Sequence, residues 1–263
     1  MEVVSYKNFI TRAHPYKPLT GGHHRHVGRN ADGRITVRHK GGGVKRLWRD
    51  IDFHYDKRDM PARVIAIEYD PNRTSFVALV QYRDGERRYI LAPKDIKLGN
   101  EVVTSVEAPI EIGNRMPLVK IPVGAMVYAI ELTKGRGAQM VRSAGSGALI
   151  LAQEGEKTLV QLPSKETRMM RSENWACIGS LSNHEHNLVV IGKAGRSRHM
   201  GVRPSVRGTA MNPVDHPHGG GEGRQPIGRR RGPATPWGKP ARGVKTRKRN
   251  KKSSRFILSR RRK

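Results

Sequence analysis

The sequence predicts a mainly β protein, two small barrels in series flanked by long basic arms. Three observations predict it. The middle of the chain, residues 59–191, is close to neutral, with 16 Lys/Arg against 15 Asp/Glu. The flanks are strongly basic: 13 against 5 over residues 1–58, and 22 against 2 over residues 192–263. The neutral middle is a series of short runs rich in strand formers, with turn signals roughly every 8–12 residues and no long helical period.

The elements follow in order. Residues 61–69 (PARVIAIEY) end at the turn tripeptide Asp70-Pro71-Asn72. Residues 76–82 (FVALVQY) run through Asp84-Gly85 into 87–91 (RRYIL), a strong hairpin signal, and Ala92-Pro93-Lys94 stops the second strand. Residues 101–106 form a further expected strand. Pro109, Gly113, Pro117, Pro122 and Gly124 mark residues 108–124 as a connector. A second set then follows at 126–131, 139–142, 148–152, 158–162, 167–170 and 175–178. Glu154-Gly155-Glu156 closes a second hairpin. Residues 184–191 are expected to hold one short helical turn.

Composition excludes several classes. Cys177 is the single cysteine, which rules out an internal disulfide and a Cys-based zinc site. No apolar run approaches the ~18 residues of a membrane span. The start, Met1 to Lys7, lacks a basic region followed by an apolar one, so no signal peptide is expected; its acid argues against a transit peptide.

The net charge of +29 calls for a polyanion. Each Lys or Arg placed on a phosphate releases condensed counterions, which dominates nucleic-acid affinity. A merely solvated basic face does not need this much charge. A membrane-surface helix would not be studded with Gly and Pro. The arms have too little apolar surface to offset chain entropy alone. Aromatic residues are 5% of the chain, which favours backbone and shape recognition over base stacking.

The first arm contains residues 28–46 (GRNADGRITVRHKGGGVKR). Gly41, Gly42 and Gly43 would let backbone approach a phosphate, or serve as a flexible linker. The Gly-Lys-Ser/Thr ending of a nucleotide P-loop is missing. His23, His24 and His26 cannot easily close a tetrahedral metal site among themselves. His184 and His186, flanking Glu185, read as packing or surface residues.

The second arm contains residues 208–224 (GTAMNPVDHPHGGGEGR), a compact loop set by Pro and Gly. Asp215 and His216 invite a general-base reading. Adjacent residues rarely form an oriented Asp–His pair, and no nucleophile is marked out. Hydrogen bonding to phosphate, ribose or base fits the loop better. Beyond it, residues 229–231, 245–252 and 260–263 form a cationic tail suited to threading among phosphates. Trp237, between Pro236 and Gly238, is placed to stack on a base or sugar, or to pack against its loop.

Residues 33–43 (GRITVRHKGGG), 67–73 (IEYDPNR), 88–93 (RYILAP), 192–196 (GKAGR) and above all 206–224 (VRGTAMNPVDHPHGGGEGR) resemble the ribosomal protein L2 family of the large subunit, in its bacterial or organellar form. The resemblance implies an oligonucleotide-binding-type barrel followed by an SH3-like barrel. It divides the chain into a basic extension over 1–33, the first barrel over 34–108, the second over 109–191, and an extended basic segment over 192–263. It implies a structural, non-enzymatic protein that binds large-subunit rRNA and supports subunit association, tRNA binding and the peptidyl-transferase region. Neighbouring large-subunit proteins and an intersubunit bridge are the implied partners, with no DNA and no membrane. A catalytic role proposed for the family's loop histidine, which aligns with His216, sits poorly with the loop chemistry above, since aminoacyl transfer needs mainly positioning. The family commonly begins with a longer basic extension. Val44, Trp48 and His199 stand where His, Tyr and Trp are usual.

The expected rRNA-binding residues are Arg34, Arg38, His39, Lys40, Gly41, Gly42, Gly43, Lys45 and Arg46 in the first arm and Arg88 in the middle. In the second arm they are Lys193, Arg196, Arg198, Arg203, Arg207, Asn212, His216, His218, Gly219, Gly220, Arg224, Trp237, Lys245 and Arg247. No catalytic residue, metal ligand or cofactor is expected, although Mg2+ could bridge loop and phosphate. The expected place is a cytoplasmic large subunit rather than an organellar one. Two other classes compete. An enzyme centred on His216 would lose peptide-bond formation on replacement of that residue in a normally assembled ribosome. A DNA-compacting protein would bind through its tail without preferring folded rRNA.

Overall fold

A computed structural model describes residues 5–260. The chain forms two compact units. One comprises residues 5–24, 46–190 and 253–260; the other comprises 25–45 and 191–252. No helix among the described residues is long and apolar enough to cross a membrane.

The first unit is built from strands. β1 (Thr20–Gly22) pairs with β2 (Leu47–Arg49). β3 (Ala62–Glu68), β4 (Val77–Tyr82), β5 (Arg87–Leu91) and β6 (Glu101–Val102) form an antiparallel sheet in the order β5-β4-β3-β6. The Asp84-Gly85 turn joins β4 and β5 as expected, closed by Tyr82 N–H donating to the Glu86 carbonyl at 2.9 Å. β4 is apolar at consecutive positions because both of its faces are covered. Ala78 and Val80 enter one core cluster, Val77 and Leu79 another. In β3 a register shift between Val64 and Ala66 breaks strict alternation. Val64 and Ile67, three apart, therefore share one cluster while Ala66 joins the other.

β7 (Arg115–Pro117), β8 (Met126–Tyr128), β11 (Ala148–Glu154), β12 (Lys157–Gln161), β13 (Thr167–Arg171), β14 (Trp175–Ile178) and β15 (Ile257–Ser259) form a seven-stranded sheet in the order β15-β13-β12-β11-β8-β14-β7. β9 (Ile130–Glu131) and β10 (Ala138–Met140) pair separately. The second hairpin also forms as expected, with β11 and β12 facing each other across Glu154 and Lys157. Met116, Val127, Ile130, Ile150, Val160 and Ile178 fill the core of this sheet. Each such side chain, taken fully from water, contributes roughly 1.5–3 kcal/mol. Tyr128, Cys177 and Leu181 pack instead with Val64, Val80 and Ile90 of the first sheet.

Several elements differ from the sequence expectation. Residues 108–124 are more than a connector, because Arg115–Pro117 pairs with β14. Pro117 is tolerated because β7 lies at the sheet edge. The expected strand at 101–106 stops at Val102, with one further bridge from Thr104 to Arg115. The expected strand at 126–131 is broken at Ala129, whose φ is 49°. A short helix, α1 (Ala194–His199), appears within the second arm. Residues 184–188 form the expected helical turn, of 3-10 type.

The second unit has a different construction. Its two segments are held by main-chain hydrogen bonds. Gly41 N–H donates to the Gly201 carbonyl at 2.8 Å, Val44 N–H to the His199 carbonyl at 2.9 Å, and Arg203 N–H to the His39 carbonyl at 3.0 Å. Only Gly201, His216 and Ala234 of this unit are buried. Among the described residues, the three apolar core clusters lie in the first unit.

Candidate nucleic-acid interface

The second unit carries 23 Lys/Arg against 3 Asp/Glu, a net charge of +20. With no apolar cluster of its own, its side chains point overwhelmingly to solvent. All the expected rRNA-binding residues except Arg46 and Arg88 fall in it. The structure thus brings residues 25–45 of the first arm and 191–252, nearly all of the second, into one unit, although about 150 residues separate them in sequence.

The triple glycine shows how. Gly43 has φ +61°, and a Cβ there would come within 2.5 Å of the His199 carbonyl oxygen. Glycine is required because backbone meets backbone. Gly41 lies against Arg203 and Gly201, while nothing approaches the Cβ position of Gly42 within 4 Å. Close approach at Gly41 and Gly43 therefore serves the second arm. Among the three, only Gly42 faces open space. Upstream, residues 28–37 fold into a tight loop, with Thr36 and Val37 N–H both donating to the Gly28 carbonyl.

The loop 207–220 is built around His216. Asp215 and His216 N–H donate to the Asn212 carbonyl, and Gly219 N–H donates to the His216 carbonyl at 2.8 Å. The His216 ring lies directly against Gly208, where any Cβ would come within 2.4 Å of it. His216 Nδ1 accepts the His218 backbone N–H at 3.0 Å. His218 Nε2 in turn accepts the Ala234 N–H at 2.9 Å. Both imidazoles thus spend a ring nitrogen on loop backbone. Burial, then the charges of His216 and Arg229, hold the His218 imidazole below the ordinary histidine value. His216 is buried and His218 half-buried, and rings bound to backbone in this way act as fasteners.

From Ala234 the chain forms a small hairpin. Thr235 N–H donates to the Lys239 carbonyl at 2.7 Å, and Ala241 N–H to the Pro233 carbonyl at 2.9 Å. Trp237 sits at its tip.

Arg88 and Arg46 are placed otherwise. The Arg88 guanidinium bonds Asp52 at 2.8 Å and Glu86 at 2.6 Å, and also contacts Asp56. Burial opposes its charge, but the hydrogen bonds it donates to Asp56, Glu86 and Asp52 outweigh that and raise its pKa. Arg46 donates to the Pro71 carbonyl at 2.8 Å. Near it, Asp70 is fully buried and accepts from Asn72 N–H at 2.8 Å and from Arg73, which fixes the turn in the segment Asp70-Pro71-Asn72-Arg73. Among the described residues no three His, Cys, Asp or Glu side chains gather as metal ligands. His23 instead packs on Trp48, with ring centroids 4.9 Å apart.

Residues 16–104 match the family model "Ribosomal Proteins L2, RNA binding N-terminal domain", and residues 111–238 match "Ribosomal Proteins L2, C-terminal domain". The chain belongs to the ribosomal protein L2 family. Its strands are those of an oligonucleotide-binding-like domain and an SH3-like domain. An L2 protein is a structural component of the large ribosomal subunit that binds rRNA, and is not an enzyme. The two matches together span both strand sets and the His216 loop.

Sequence reasoning missed two features. The pairing of the arms left no local signal, since the glycines at 41–43 read equally as a phosphate contact or a flexible linker. The return of the C-terminal segment to the first unit was legible in Phe256-Ile257-Leu258, the sole apolar run near the end of a cationic tail. Arg261, Arg262 and Lys263 of that tail, and residues 1–4 used in reading the start, lie outside the described residues.

Proposed function

We propose that residues 25–45 and 191–252 form the principal rRNA-binding face of this L2 family member. One observation carries the reading: a net charge of +20 in a unit that has no apolar cluster of its own among the described residues. Such a unit gains most of its order by neutralising phosphate. Lys40, Lys193, Arg196, Arg203, Arg207 and Arg224 meet phosphates, while Asn212, Gly219 and Gly220 offer polar contacts in the loop. Arg46 and Arg88 contribute from the first unit, Arg88 only by leaving its carboxylates. Mg2+ bridges between loop and phosphate belong to the same reading, as do the boundaries 1–33, 34–108, 109–191 and 192–263. So do support of subunit association, tRNA binding and the peptidyl-transferase region, contacts with neighbouring large-subunit proteins and the small subunit, and residence in a cytoplasmic rather than an organellar ribosome.

The test is a titration of the full chain with a large-subunit rRNA transcript at several salt concentrations. The logarithm of the binding constant is expected to fall linearly with the logarithm of salt, steeply between about 50 and 200 mM. A flat response would overturn the proposal.

A further inference from the structure

Trp237 stands apart from the other two indoles. Trp175 is 5% exposed and Trp48 is 42% exposed with His23 against it, whereas Trp237 is 75% exposed. It is held out by a closed hairpin rather than by a loose loop. Gly238 N–H donates to the Thr235 carbonyl at 2.9 Å, and the hairpin base is fastened through Ala234 to His218. The Arg38 guanidinium, from the other arm, lies over the indole at 5.3 Å from the ring centroid. A large apolar side chain kept rigid and solvent-exposed loses burial energy that a partner can return.

We propose that Trp237 is a stacking platform for one unpaired nucleobase of the rRNA, with Arg38 on one face of the indole and the base on the other. This rests on the rRNA-binding reading above and adds its chemistry at a single point. The nearby sequence favours a nucleic acid over a protein surface. Arg229, Arg230, Arg231, Lys239 and Arg242 flank the indole in sequence, and no Asp or Glu occurs after Glu222. Cations that track a backbone beside an aromatic that takes the base are the elements of single-strand recognition. Stacking is tolerant of base identity, and a purine offers the larger overlap.

The experiment uses the full chain and a large-subunit rRNA transcript. Ultraviolet cross-linking, read by mass spectrometry, is expected to join Trp237 to one nucleotide, and chemical probing should show that nucleotide unpaired. Trp237→Ala should weaken binding between about fivefold and a hundredfold without changing the salt slope. Trp237→Phe should recover much of that loss and protect the same nucleotide. If the wild-type chain binds the transcript but Trp237 forms no cross-link, or Trp237→Ala binds as tightly as wild type, the stacking proposal is overturned and the rRNA-binding reading stands. If the wild-type chain fails to bind the transcript, both fall.

Discussion

The Arg115 guanidinium donates to the Glu131 carboxylate at 3.0 Å, and both side chains are buried. Arg115 also donates to the Ala129 carbonyl at 2.8 Å and lies over the Tyr55 ring, 4.5 Å from its centroid. Burial opposes its charge, but Cys177, Tyr55 and Glu131 together hold its pKa above the ordinary value. Glu131 in turn accepts N–H bonds from Gly135 and Trp175. The pair joins β7 to β9, so the interior of the first unit depends on its staying intact.

Arg115→Ala leaves the Glu131 carboxylate buried without its cation. The expected loss is about 3–5 kcal/mol of unfolding free energy, read from urea denaturation of the full chain by circular dichroism. Replacing both partners, Arg115→Met with Glu131→Gln, should recover most of that loss. A single variant as stable as wild type would show that the pair contributes nothing.

Gly43→Ala forces an alanine into φ +61° and against the His199 carbonyl. The left-handed conformation alone costs about 1–2 kcal/mol, and the contact adds to it. Hydrogen exchange should speed up at the Val44 amide, which donates to the His199 carbonyl, and rRNA affinity should fall with it. Gly42→Ala meets open space and should leave the Val44 amide protected. If that variant loses affinity without any change in exchange, a phosphate approaches Gly42 directly.

His218 supplies a pH dependence. Its folded pKa is lowered, so the unfolded chain binds the proton more readily. Its stabilising contribution is therefore complete above the ordinary value of about 6.5 and fades as pH falls through the lower folded value. The Ala234 amide, which donates to His218 Nε2, should lose exchange protection on acidification, after correction for intrinsic exchange. A nuclear magnetic resonance titration placing the His218 pKa above 6.5 would contradict this.

β15 pairs with β13 through Thr167 opposite Ser259 and Arg168 opposite Ile257. Ile257→Pro places in this edge strand a residue that has no backbone N–H and a fixed φ. The amides of Leu258 and Ser259 should lose protection while β11 and β12 keep theirs. Unchanged protection at Leu258 and Ser259 would show that the terminal strand does not depend on this pairing.

The sequence alone determined the strand sets, both hairpins and the concentration of positive charge at the ends. Each of these is a local property: β-forming runs such as 76–82, the turn chemistry of Asp84-Gly85, and a count of Lys and Arg. The length of the motif over 206–224 likewise pointed to the family. Tertiary structure alone decided the long-range pairings. Residues 115–117 look like connector until β14 supplies hydrogen-bond partners more than 55 residues away. Gly21 and Gly22 have poor strand propensity, yet pair with Trp48 and Leu47. No local pattern indicates that Gly43 will meet His199, or that His216 and His218 will fasten a loop. Those contacts depend on backbone groups, which every residue carries and no side-chain pattern records.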